Sequence, residues 1–306
     1  LVLTPGEVVR NRPQTPTEPF PYLTEEVSFT NGDAVLSGNL VYPEGWNGKK
    51  KVTVAIMVTG SGLQNRDEEL YGHKPFLVIA DYLARHGIAT LRYDDRGTGS
   101  STGDASQATT EDFMEDALAG LEFLRSKGRF GKVGVIGHSE GGEIAFILGA
   151  RKKVDFLVSL AGPGVQGDSI LVLQNINALR QAGSTMTVTK EYIRASVKSQ
   201  NNSWLDYFID YDPVIDIREI RCPALILNGS KDSQVEAHVN ISSIEANLPR
   251  NRRGRYVSKR TEVKVYPDLN HLFQHCITGQ AAEYKDIEET ISQEVLADIA
   301  AWIGKL

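Results

Sequence analysis

The chain has 306 residues, of which 24% are charged, and a formal net charge of −6. That length can bury a large core. The negative balance argues against a nucleic-acid partner. No apolar run approaches the roughly 18 residues of a membrane span, and two cysteines, Cys222 and Cys276, give no disulfide framework.

Residues 4–22 carry Pro5, Pro13, Pro16, Pro19 and Pro21, so 1–24 reads as an extended arm. From Glu26 to Tyr42 the chain alternates around Asn31-Gly32, a hairpin signal, and predicts an antiparallel ribbon. Val52–Val58 reads as a buried strand, followed by the loop Thr59-Gly60-Ser61-Gly62-Leu63. In that loop's continuation, Arg66 and Asp67 either hold its shape or form a surface ion pair. A helix is expected near 74–86, a strand near 88–93 and a helix near 109–127. The glycine-rich run Gly97–Gly103 lacks Gly-Lys-Ser/Thr and a suitably spaced helix, so it carries no nucleotide site.

The most informative stretch is Gly137-His138-Ser139-Glu140-Gly141, a G-x-S-x-G sequence. A β-branched run, Lys132–Ile136, precedes it, and Ile144, Phe146, Ile147 and Leu148 follow at helical spacing (helix 140–150). A strand that turns sharply into a helix through small residues pushes the serine out at its tip. Ser139 is therefore the expected nucleophile. His138, the variable position, is expected to pack there and to touch the substrate pocket. A serine hydroxyl attacks only when a base takes its proton, usually a histidine oriented by a carboxylate.

Beyond the elbow a strand is expected near 154–160. Residues 163–213 then break the strand–helix rhythm with helices near 169–181, 189–199 and 204–211. Ile170, Leu173, Ile176, Leu179, Trp204, Tyr207 and Phe208 supply apolar surface there. Most would form this segment's own core; Ile170, Leu173, Trp204 and Phe208, with Leu63, are the pocket candidates. The rhythm resumes with a strand near 223–228. Asp232 leaves its end and is the expected acid, and a helix follows near 234–247. A basic stretch, Arg250, Arg252, Arg253, Arg255, Lys259 and Arg260, reads as a solvated loop, with an anionic substrate as the minor alternative. The next strand, near 262–266, leads to Pro267-Asp268-Leu269-Asn270-His271. Neighbouring parallel strands end on one side, so His271 can sit beside Asp232 and serve as base. Asp268 is too close in sequence to His271 to orient it, and His275 lies four residues further from the strand end. His271 and His275 lack the intervening glutamate of a metalloprotease helix, so no metal and no cofactor is expected. Neither cysteine shows the elbow or helix start a nucleophile needs. A final helix, about 289–304, carries Val295, Ile299 and Trp302 on one face.

With these residues in view, the chain resembles the α/β-hydrolase superfamily of serine hydrolases. It is most similar to bacterial carboxylesterases related to dienelactone hydrolase and to the catalytic domain of prolyl oligopeptidases. The segments that carry the resemblance are Thr59–Gly62, Gln64–Glu68, Tyr93–Gly97, Gly137–Gly142, Asn228–Asp232 and Leu269–His271. It implies an α/β fold, a mostly parallel sheet flanked by helices. The core would be 25–162 and 214–306, with 163–213 a helical cap. It implies a triad of Ser139, Asp232 and His271. The oxyanion would be held by the backbone N–H of Glu140, the residue after the nucleophile, and by that of Ser61 or its neighbour Gly62. Relatives often have His-Gly where this chain has Thr59-Gly60, a change a backbone donor tolerates.

The expected reaction is hydrolysis of a small-molecule carboxylic ester through an acyl-enzyme. Thioester cleavage, acyl transfer or peptide cleavage by the same triad is the alternative. A binding module with a lost active site is the non-enzyme alternative, weakened because all three triad positions are filled. Monomer and homodimer both fit the sequence. In relatives such an arm follows an export signal or an extra domain. The resemblance therefore favours an exported protein, periplasmic or extracellular, with its leader removed; a cytoplasmic one is the alternative.

Overall fold

The computed structural model describes residues 10–306; the part of the expected arm at residues 1–9 lies outside them. In chain order come β1 (Thr24–Asn31), β2 (Ala34–Val41), β3 (Val52–Val58), α1 (Pro75–Arg85), β4 (Ala89–Tyr93), α2 (Thr110–Ser126), β5 (Phe130–His138), α3 (Glu140–Ala150) and β6 (Leu157–Leu160). Then follow α4 (Gly167–Gln181), α5 (Lys190–Lys198), α6 (Ser203–Asp210), α7 (Val214–Ile217), β7 (Ala224–Gly229), α8 (Ala237–Asn247), β8 (Glu262–Tyr266) and α9 (Gln293–Gly304). The eight strands form one sheet in the order β1-β2-β4-β3-β5-β6-β7-β8. The β1–β2 ribbon joins antiparallel, with Asn31 paired to Ala34 and the turn at Gly32-Asp33, one residue later than the Asn31-Gly32 signal places it, and β4 to β8 with β3 run parallel.

Alternation along the strands builds two cores. Val54, Ile56 and Val58 of β3 face one side with Val135 of β5, where they meet α2 and α3. Ala55 and Met57 face the other with Ile136, against α1 and α9. A sheet covered on both faces explains the near-continuous apolar strands. Nearly all of α3 is buried, since it packs against β3, β5 and β6 at once.

Three boundaries differ from expectation, each for a local reason. Asp155 accepts the Val133 N–H, which holds 154–156 out of regular pairing, so β6 begins at Leu157. The Asp232 carboxylate takes the N–H groups of Gln234 and Val235, and α8 starts only after Glu236 caps it. Gln14 and Phe273 accept from the backbone at 290–292, which delays α9 to Gln293. The described part of the arm lies against the body. The Arg12 guanidinium donates to the carbonyls of Tyr71, Lys285 and Ile287, and Phe20 and Tyr22 pack on Val41 and Ala84. Among the described residues no helix is long and apolar enough to cross a membrane.

Candidate active site

The parallel strands β3, β5, β7 and β8 end on one side of the sheet, and the loops that leave them converge there. Ser139 follows β5 with φ 53° and ψ −117°, a conformation an L-residue rarely adopts. Its N–H donates to the Leu160 carbonyl at 2.8 Å, which ties the elbow to β6. The flanking glycines are there because nothing larger fits. A Cβ at Gly137 would lie 1.8 Å from the Gly141 carbonyl oxygen, and one at Gly141 would lie 2.0 Å from that of Val58.

Asp232 and His271 meet as the chain order suggests. His271 Nδ1 is 2.8 Å from Asp232 Oδ2, with both side chains buried. The other carboxylate oxygen, Oδ1, accepts from Gln234 and Val235 N–H at 2.8 Å each, so the acid is locked from both ends. His271 and Ser139 line one small cavity of about 100 Å³. The Ser139 hydroxyl is not yet hydrogen-bonded to the ring; such contacts tighten when substrate arrives. Asp268 is exposed and pairs with Lys231 at 2.8 Å, and His275 is exposed on Glu289. Neither rival reaches the site.

Glu140 opens α3, so its N–H has no intrahelical acceptor. Among the described residues neither it nor the Ser61 N–H is paired within the protein. The loop that carries Ser61 is held by three buried carboxylates. Asp95 accepts from Thr59 Oγ1 at 2.9 Å and from Gln64 N–H at 2.8 Å. Glu68 Oε1 accepts from Gly60 N–H at 2.7 Å. Asp94 accepts from the Arg66 backbone at 2.8 Å and from its guanidinium at 2.9 Å. Asp67 pairs with the buried Arg92. Arg66 and Asp67 thus shape the loop rather than decorate the surface. Burial pushes the Asp95 carboxyl up to about 8, although its hydrogen bonds favour the charged form.

His138 does more than pack. Its Nδ1 lies 2.9 Å from Glu68 Oε1 and its Nε2 lies 3.0 Å from the His271 carbonyl oxygen. Both ring nitrogens face acceptors, so the ring carries both protons. Burial opposes that charge, and the Glu68 carboxylate outweighs it, holding His138 above its usual value. One pair therefore joins the Gly60 loop, the elbow and the loop of His271. Glu68 lies in the segment Gln64–Glu68 that carries the resemblance, but sequence reasoning gives it no role; its one further signal is an acid eight residues after Gly60.

The pocket candidates divide. Ile170, Trp204 and Phe208 line a cavity beside Ser139 and Glu140. Leu63 lines a second one further out, together with Gly62. His138 lines the small cavity around His271. Leu173 lines none of these. Leu171 and Gln174 do so with Ile170, and a helix turn of about 100° per residue carries Leu173 off that face. The basic stretch 250–260 precedes β8, so it lies at the end of the sheet opposite Asp232 and His271. An anionic substrate at the site cannot meet it. The Cys222 thiol is pushed up to about 11 by burial. Among the described residues no group of three or more His, Cys, Asp or Glu side chains could hold a metal ion.

Residues 74–219 match the sequence model of the serine aminopeptidase S33 family. The esterase EstD of Thermotoga maritima is 26% identical over 305 residues, covering 94% of this chain and 70% of that protein. The chain has the α/β-hydrolase fold. An esterase of Pyrococcus furiosus superposes with a TM-score of 0.62 at 18% identity, over 98% of this chain and 99% of that one. A dienelactone hydrolase of Anabaena variabilis gives 0.54 at 16% identity, over 93% and 98%. At such identities these two structures speak to the α/β-hydrolase fold alone.

Proposed function

We propose that the chain is a serine hydrolase that cleaves carboxylic esters through an acyl-enzyme. The observation that carries this reading is the buried contact between His271 Nδ1 and Asp232 Oδ2 at 2.8 Å, in the loops beside the Ser139 elbow. His271, held by Asp232 with Nε2 facing outward, removes the Ser139 proton as Oγ attacks the ester carbonyl. The N–H groups of Glu140 and Ser61 hold the tetrahedral oxyanion. His271 then gives its proton to the leaving alcohol, and water repeats the sequence on the acyl-enzyme. The similarity to EstD supports ester substrates. In this reading 25–162 and 214–306 form the catalytic core, 163–213 a cap over the site and 1–24 an arm.

Peptide cleavage is the second reading, favoured by the aminopeptidase description of the matching family. Thioesters of coenzyme A lose their one sequence hint, because the basic loop lies at the far end of the sheet.

The test is turnover of p-nitrophenyl acetate by wild type and Ser139→Ala. The variant is expected to fold and to lose on the order of 10⁴–10⁶ in kcat. Near-normal turnover in the variant would remove the assignment. An ester and an amide of one acyl group, compared side by side, separate the two readings.

A further inference from the structure

Two cavities meet near Ser139. The inner one, of about 180 Å³, is walled by Ile170, Leu171, Leu205 and Phe208 and opens on Ser139. The outer one, of about 310 Å³, is walled by Leu63, Ala105, Ala108 and Phe113. Two residues line both: Ser61 and Trp204. Ser61 belongs to the loop fixed by Asp95 and Glu68. Trp204, on α6, is the other shared part of the wall, and it is held in two ways. Its indole N–H donates to Glu140 Oε1 at 2.7 Å, the same oxygen that accepts from Thr110 Oγ1 at 2.7 Å. Its ring stacks on Phe208 at 5.3 Å between centroids and 8° between planes.

We propose that Trp204 is a partition that limits the length of the apolar substrate group the site accepts, with Glu140 as its latch. The inference rests on the esterase reading and assigns that site esters whose linear apolar group ends at the indole. A half-buried tryptophan whose N–H is paired and whose ring is stacked makes a stiff wall. The latch residue is also the neighbour of the nucleophile, so the wall stands at a fixed distance from the reacting carbonyl. Each methylene that enters the inner cavity should raise kcat/KM by up to about fourfold. The gain stops where the chain meets the indole. Without the indole the two cavities join, and a longer chain continues into the space beside Leu63 and Phe113.

The experiment is kcat/KM for p-nitrophenyl esters from acetate to dodecanoate, with wild type, Trp204→Ala, Trp204→Leu and Trp204→Phe. The expected result is an optimum at a short chain in wild type. It should move at least two carbons longer in Trp204→Ala and Trp204→Leu, with the decanoate-to-butyrate ratio raised tenfold or more. Trp204→Phe keeps most of the wall and loses the latch, so its optimum should move less. An unchanged optimum and ratio in both smaller variants, or a uniform loss on every ester, overturns the partition while the esterase reading stands. Should Trp204→Ala fail to fold, judged by its melting curve, Trp204→Leu decides alone. Wild type that hydrolyses no ester, with Ser139 unlabelled by a fluorophosphonate, overturns the esterase reading and the partition with it.

Discussion

At the scale of single residues, the site depends on atoms asked to serve two partners. Glu68 Oε1 accepts from Gly60 N–H and from His138 Nδ1. An amide oxygen in that place still accepts both bonds, so Glu68→Gln keeps the geometry and removes the charge, whereas Glu68→Ala removes both bonds. Glu68→Ala is therefore expected to lower kcat/KM by roughly one to two orders of magnitude, since small displacements of catalytic groups are costly. Removing the carboxylate also removes what holds His138 above its usual value. The loss should then deepen as pH rises and His138 gives up its second proton, and a kcat/KM profile against pH reads this. A loss that is flat with pH would assign Glu68 a packing role only. His138 was expected to pack at the pocket wall. Its bond to the His271 carbonyl joins residues far apart in the chain, and no spacing within the sequence announces it.

At the scale of elements, the loop Thr59–Gln64 shows how burial and pH are linked. The Asp95 carboxyl is raised to about 8 chiefly by burial. In the unfolded chain it ionises near about 4. Between those values the folded state holds a proton that the unfolded state has released. Asp95 therefore lowers stability steadily as pH rises from about 4 to about 8, and its cost levels off above that. Asp95→Asn removes this dependence, so its Tm should fall less than that of wild type between pH 5 and 8. Parallel Tm curves for the two proteins would contradict the burial argument. The strands and helices around this loop were largely legible, because a sheet covered on both faces leaves long apolar runs and period-3.6 helices. The elbow was legible because its glycines are forced by contact with Gly141 and Val58. The starts of α8 and α9 were not. They are set by Asp232 and by Gln14, whose bonds compete with the first helical turn. Leu173 failed for a related reason: composition put it in the pocket, and helix rotation took it out.

At the scale of the whole molecule, the sheet has a reacting end and an opposite end. Ser139, Asp232, His271 and the backbone of Glu140 and Ser61 gather where the parallel strands finish, as is usual for ligand sites of open α/β sheets. The basic loop 250–260 lies at the other end, before β8. Reversing charge there, as in Arg252→Glu with Arg253→Glu, should leave kcat/KM on a neutral ester within about twofold, since screening weakens charges beyond about 10 Å. A tenfold loss on a coenzyme A thioester in that variant would return thioesters to consideration.

The segment around Arg12 and Gln14 has a consequence for handling the chain. Arg12 grips the carbonyls of Lys285 and Ile287, and Gln14 accepts from the backbone at 290 and 291. Those residues run directly into Ser292, whose N–H meets the Phe273 carbonyl two residues after His271. The stretch Arg12–Gln14 thus acts as a clasp on the strap that supports His271, the proposed base. Trimming it to simplify expression, or burying it under a fused tag, would slacken the histidine from a distance without touching any residue of the pocket.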